Sequence, residues 1–444
     1  MTHERRRATG RLCTAAMALL AVLAGTVRAQ SDSPCEQEPI LYSTPAVNDP
    51  VARLQKHLDA GEAKLTYDDS HGYLRSVLEL LEVPVSSQML VFSKTSFQRD
   101  RISPESPRAV YFNDSVYVGS VQLGEVVEVS AVDPQKGAIF YTLSQQRSER
   151  PAFRRQTHDC LQCHDSSLSL GVPGHIVRSV YPDTNGQPIL SAGTFVTSHN
   201  SPLSERWGGW YVTGTHGAQT HMGNVNVPRP GHHEPPRRLD FSGGTNVTSL
   251  AGRCDVSPYL SPHSDIVALM VMEHQVYLHN LMTRANYQTR LALRDEAAMN
   301  RALGRPLEER LDSTLSRVKS VGEPLVKYLL FVEEAPLTDR VEGTSSFARE
   351  FAAGGPRDRQ GRSLRDFDLD KRLFRYPLSY LIYSEAFDSL PDLAREYVYR
   401  RLWQVLSGED KTGKFGNLTE ADRQAIVAIV RDTKRDLPEY WIGP

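Results

Sequence analysis

Val110-Tyr111-Phe112-Asn113-Asp114-Ser115-Val116-Tyr117-Val118 reads as two short strands about a polar turn, because β-branched and aromatic residues crowd both sides of Asn-Asp. The same pattern recurs downstream: residues 126–132 and 139–143 flank Asp133-Pro134-Gln135-Lys136-Gly137, a second hairpin signal. Further strands are expected over 176–181 and 189–196, around a Pro-Asp-Thr-Asn-Gly turn, and over 207–212, where glycines permit close approach. Upstream, Val51, Leu54 and Leu58, and then Leu74, Val77, Leu78 and Leu81, recur at helical spacing until Pro84 stops the pattern. Residues 228–262 are rich in Pro and Gly and read as a long loop. Beyond Ser264 the period becomes helical, with apolar runs at 325–332, 378–387, 397–405 and 426–429. The expected class is α+β: an antiparallel β-rich region followed by a C-terminal helical region.

Cys160-Leu161-Gln162-Cys163-His164 lies between the second and third strand pairs. Two cysteines separated by two residues and followed by histidine have the spacing that fixes a c-type haem. Both thiols form thioethers to the vinyl groups, and His164 becomes the proximal ligand of iron. One covalent haem c is therefore expected, in a β-rich haem-binding region at 89–262, with a leader and short helices at 30–88 and the helical region at 263–444. A zinc site built from His158, Cys160, Cys163 and His164 is the alternative; it would need adjacent Cys163 and His164 to chelate one tetrahedral ion. A thioredoxin-like redox pair would need a continuous helix after the motif, where glycine and proline instead break the chain.

The N-terminus supports export. Arg5, Arg6, Arg7 and Arg11 precede an apolar run, and Val27-Arg28-Ala29 offers small residues for cleavage, so residues 1–29 read as a signal peptide. The expected location is periplasmic or secreted, and no later stretch approaches the ~20 apolar residues that spanning a bilayer needs. Losing five arginines and one glutamate with the leader takes the formal charge from -2 to about -6, which gives no sign of a nucleic-acid or anionic-membrane partner. Cys13 departs with the leader and the haem uses two thiols, leaving Cys35 and Cys254 to form a disulfide.

The sixth iron ligand separates an electron carrier from a reactive haem. Met222, His221 and His216 cluster in Thr215-His216-Gly217-Ala218-Gln219-Thr220-His221-Met222-Gly223 and are the expected distal candidates. His175, His199, His263, His274 and His279 stand behind them, and His232-His233 could take up metal only adventitiously. Arg154, Arg155, Arg178 and Arg206 could neutralise haem propionates, and Trp207, Trp210 and Tyr211 could wall the pocket. Asp366, Asp368 and Asp370 resemble a calcium loop, but Lys371 stands where the loop needs glycine and Pro377 where it needs glutamate.

At Cys160, Cys163 and His164 the chain resembles the c-type cytochromes. Over residues 101–143 and 206–224 it resembles large, uncharacterised exported bacterial proteins with a single motif of this kind. The resemblance implies haem binding, iron ligation and electron transfer with an unknown redox partner protein. With one motif only, it does not imply the two-haem relay of bacterial cytochrome c peroxidases. No catalytic set of side chains is evident; a haem enzyme or gas sensor with an open distal position is the alternative function.

Overall fold

The computed structural model describes residues 34–228 and 239–442; the leader and His232-His233 lie outside them. Two short helices, α1 (Pro50–Asp59) and α2 (Leu74–Leu80), come first. They are followed by a six-stranded antiparallel meander, β1 (Met89–Val91), β2 (Arg108–Phe112), β3 (Val116–Ser120), β4 (Val126–Asp133), β5 (Gly137–Ser144) and β6 (Phe153–Gln156), in sequential order. Both expected hairpins are present: Phe112 pairs with Tyr117, and Asp133 with Gly137. The Asn113 side chain makes the first turn, its Oδ1 accepting from the Ser115 and Val116 amides.

Both faces of the sheet are covered, which is why its strands read as nearly continuous apolar runs. Leu90, Ala109, Tyr111, Val116, Val118, Val129 and Ile139 pack with α1 and α2 in one core. Met89, Val91, Val110, Phe112 and Tyr117 alternate with them and enter a second core shared with the C-terminal helices. The β-rich and helical regions are therefore joined by common packing rather than by a linker.

After β6 come a single helical turn, α3 (Leu161–His164), a small ribbon of β7 (Asp165–Ser166) and β8 (Val172–Pro173), and a second ribbon of β9 (Arg178–Val180) and β10 (Thr194–Val196). The second ribbon realises the third expected strand pair in shortened form. Residues 207–212 do not form the expected regular strand. They run beside β1, with Tyr211 donating to Leu90 O, and a single bridge joins Val91 to Trp210. Trp207 at φ +66° and Gly209 at φ +87° interrupt the extended conformation there.

The helical region is organised by α4 (Ile266–Ala302), 37 residues long. Its first half is buried on every side, so it lacks the one-sided stripe of a surface helix. Around it pack α5 (Asp312–Leu329), α6 (Phe347–Ala353), α7 (Glu385–Asp388) and α8 (Asp392–Leu406), with α9 (Glu420–Thr433) against α8. The apolar run at 378–387 is not one helix but a tight turn over Tyr380–Tyr383 followed by α7. Among the described residues no helix is long and apolar enough to cross a membrane.

Asp265 starts α4: its Oδ1 accepts from the Val267 and Ala268 amides, at 2.8 and 3.3 Å, and its Oδ2 accepts from the Ser345 amide and hydroxyl. Asp265→Ala removes a cap and strands buried donors, so a loss of about 1–2 kcal/mol is expected in urea denaturation. An unchanged midpoint would show that α4 does not depend on this cap.

Candidate haem-attachment site

The chain arrives along β6 and tightens into α3. Gln162 donates to His158 O at 3.2 Å, and the amides of Cys163 and His164 donate to Cys160 O at 3.2 and 3.0 Å. Cys160 and Cys163, three apart on this turn, share one side of it. Cys163 is exposed and Cys160 half-buried, so both are within reach of a ligand from outside. Burial, reinforced by the negative charges of Glu128 and Asp159, pushes the Cys160 thiol up to about 11, keeping it protonated at neutral pH.

His164 is held by one residue in two ways. Its carbonyl accepts from the Gly174 amide at 2.9 Å, and its ring Nδ1 lies 2.8 Å from Gly174 O. A carbonyl only accepts, so the proton sits on Nδ1 and the lone pair on Nε2 is left for a metal. Burial lowers the pKa of this imidazole, outweighing the Gly174 hydrogen bond, and the nearby Arg108 charge lowers it further. The ring is therefore neutral at neutral pH, which is the ligating form.

The nine residues between His164 and Gly174 form a closed loop. Asp165 pairs with Pro173 and Ser166 with Val172, and the tip turns at Leu170 and Gly171, with φ of +65° and +71°. The Ser169 hydroxyl donates to His164 O at 3.1 Å and accepts from the Ser166 amide, tying the loop from within. Helix α4 fixes it from behind. Asn280 Oδ1 accepts from the His175 amide at 3.1 Å, and its Nδ2 donates to His175 O at 2.7 Å. A Cβ at residue 174 would stand 2.2 Å from Asn280 Oδ1, so the close approach requires glycine. On the other side, the buried thiol of Cys35 lies 3.4 Å from Asp165 Oδ2.

The floor of the site is the face of β4 and β5 that the apolar cores leave out. The Phe140 ring lies 4.8 Å from the His164 ring. Beside it Arg108 pairs with Glu128 at 2.6 Å, and Gln98 Nε2 donates to the same carboxylate at 2.9 Å. Gly119 makes room for the guanidinium; a Cβ there would be 2.2 Å from an Arg108 nitrogen. Ser130 Oγ lies 2.5 Å from His175 Nε2.

The sequence-predicted residues divide sharply. Cys160, Cys163 and His164 lie on one turn, with the His164 Nδ1 engaged by Gly174 O and Nε2 left open. Met222, His221 and His216 are engaged elsewhere, each with another partner. Ser179 Oγ donates to Met222 Sδ at 3.5 Å, the Gly223 amide donates to His221 Nδ1 at 3.0 Å, and the Asn246 amide donates to His216 Nε2 at 3.0 Å. The expected Cys35–Cys254 disulfide is absent: Cys35 faces Asp165, whereas Cys254 lies on a turn after Leu250, to whose carbonyl its amide donates. Arg155 caps the Tyr42 and Thr44 carbonyls, Arg178 reaches Thr194 and Arg206 pairs with Glu273, while Arg154 is exposed. Trp207, Trp210 and Tyr211 are core residues.

Among the described residues no three His, Cys, Asp or Glu side chains gather as a metal cage, which the zinc arrangement would need. The donor set fits haem c instead: two accessible thiols on one side of a turn, followed by an imidazole with a free Nε2. Arg108, Glu128, Asn280 and the Gly174 carbonyl escaped sequence reasoning. Nothing in their local pattern marks them, and Asn280 lies 105 positions from the residue it clamps. No family model, curated protein or solved structure matches the chain.

Proposed function

We propose that the protein is an exported, periplasmic or secreted mono-haem c-type cytochrome that takes part in electron transfer with a redox partner protein. The supporting observation is the Nδ1–H of His164 committed to Gly174 O at 2.8 Å, which presents Nε2 as a ligand on the turn that carries both thiols. Bound haem would supply a one-electron iron centre. Cys160 and Cys163 would each add S–H across a vinyl group, His164 would hold the iron, and Gly174 and Asn280 would keep the imidazole aligned.

Co-expression with a haem c maturation system tests this. Haem is expected to stay with the polypeptide through denaturation and to be lost completely from the Cys160→Ser, Cys163→Ser double variant. Haem that denaturation extracts from the unaltered protein would overturn the proposal.

The second reading, a haem enzyme or gas sensor with an open distal position, gains from the engagement of Met222, His221 and His216 elsewhere. Rapid carbon monoxide binding by the ferrous protein would favour it over a pure carrier.

A further inference from the structure

We propose that Tyr117 is a redox-active residue that gives up one electron toward the haem side and its phenolic proton to His279; this rests on the covalent-haem reading above. Four aromatic rings link the motif to the interior. The His164 ring is 4.8 Å from Phe140, Phe140 is 5.8 Å from His175, and His175 is 4.2 Å from Tyr117, all between centroids. The route crosses the sheet face on which the motif rests and ends beneath α4.

One arrangement of the hydrogen bonds at its end gives the phenol proton an acceptor. Gln275 Nε2 lies 2.7 Å from Asn113 O, a pure acceptor, which identifies it as the amide nitrogen; its Oε1 accepts from Tyr380 Oη at 2.6 Å. The same Nε2 donates to Tyr117 Oη at 2.8 Å, so the Tyr117 proton points at its remaining neighbour, His279 Nδ1, 3.1 Å away. Burial pushes the His279 pKa down to about 3 and the Tyr117 pKa far above its ordinary range. The resting pair is therefore a neutral phenol donating to a neutral imidazole. Losing an electron makes a phenol strongly acidic, and an acceptor already in contact lets proton and electron leave together without solvent. A phenol serving only structure needs no ring route to the motif.

The step balances with hydrogen peroxide as oxidant. Its O–O bond would break and two waters form, using two protons and two electrons, one from Tyr117 and the other from bound haem iron as it goes from ferrous to ferric. The tyrosine becomes a neutral phenoxyl radical as its proton passes from Oη to Nδ1 of His279.

Freeze-quench electron paramagnetic resonance on the ferrous, haem-loaded full chain mixed with one equivalent of peroxide tests the assignment. The expected result is a tyrosyl spectrum that narrows with ring-deuterated tyrosine, is lost in Tyr117→Phe and falls in yield in His279→Gln. Haem content is read in the same samples from the alkaline pyridine spectrum. Absence of haem would overturn the covalent-haem reading and this proposal with it. Full haem content with no tyrosyl spectrum, or with one that persists in Tyr117→Phe, would overturn the Tyr117 assignment alone. Should Tyr117→Phe not fold, an unchanged radical yield in His279→Gln would overturn it equally.

Discussion

Arg206→Met is expected to cost the fold about 3–5 kcal/mol, because it strips the counter-charge from buried Glu273, which must then either ionise unpaired or keep a proton, and removes a donor from the carbonyls of His199 and Ser201. Glu273 is wholly buried on α4 and Arg206 is 3% exposed, with Nη1 of the arginine 3.3 Å from Oε2 of the glutamate. Thr197 Oγ1 donates to the other oxygen at 2.5 Å, and Arg206 Nη2 also donates to the carbonyls of Ser201 and His199. Burial already pushes the Glu273 pKa above its ordinary 4.5, with Arg206 and Thr197 pulling it back. Removing Arg206 drives it higher. The folded variant then holds a proton that its unfolded chain has released, so its stability falls as pH rises from about 4.5 toward the folded value. Glu273 titrates at about 7 in the unaltered fold, so both proteins carry the proton near about pH 5, and in urea denaturation the deficit should be smaller there and grow as pH rises above about 7 toward about 8. An equal deficit at both pH values would refute the unpaired-charge explanation. Adding Glu273→Leu should restore much of the loss, since the stranded charge disappears.

Asn280→Leu should produce the other large effect, and it reaches the motif without touching it. The substitution strips partners from the amide and carbonyl of His175, both buried against α4. Each orphaned group costs roughly 1–3 kcal/mol, and the leucine must also fit where Gly174 packs closely on residue 280. Because Gly174 O holds the His164 ring, the loss should appear twice: as a lower midpoint in denaturation and, on the haem c reading, as an altered haem absorption spectrum with thioether attachment intact. Destabilisation with an unperturbed spectrum would mean that the His164–Gly174 pairing does not rely on Asn280.

The parts of this protein legible in its sequence are those governed by neighbours in the chain. The hairpins at 110–118 and 126–143 declared themselves because strand alternation and turn chemistry both act within a few residues. The motif was legible for the same reason, since one helical turn aligns its three functional groups. Residues 207–212 carry strand-forming aromatics, yet positive φ at Trp207 and Gly209 breaks them into a bent segment beside β1. Met222, His221 and His216 looked available because they are ligand-type residues near glycines. Their side chains are instead spent on Ser179, Gly223 and Asn246. The proposed disulfide failed for a similar reason: counting thiols says nothing of where a chain brings them, and Cys35 is placed under Asp165. Arg108, Gly119 and Glu128 make a charged patch from three neighbouring strands. That patch is invisible until the register is known.

The loop closed by Gly174 on His164 also implies an order of events in time. Its hydrogen bonds span ten residues, so the ring can close as soon as that stretch of chain emerges. Asn280, which locks it, is synthesised 105 residues after His175, and the wall of α4 arrives with it. A loop closed in that interval would hold the two thiols on a shaped turn with one side still uncovered. On the haem c reading proposed above, attachment chemistry that works on incompletely folded chains would find its substrate preorganised then, before the completed fold closes over the back of the site.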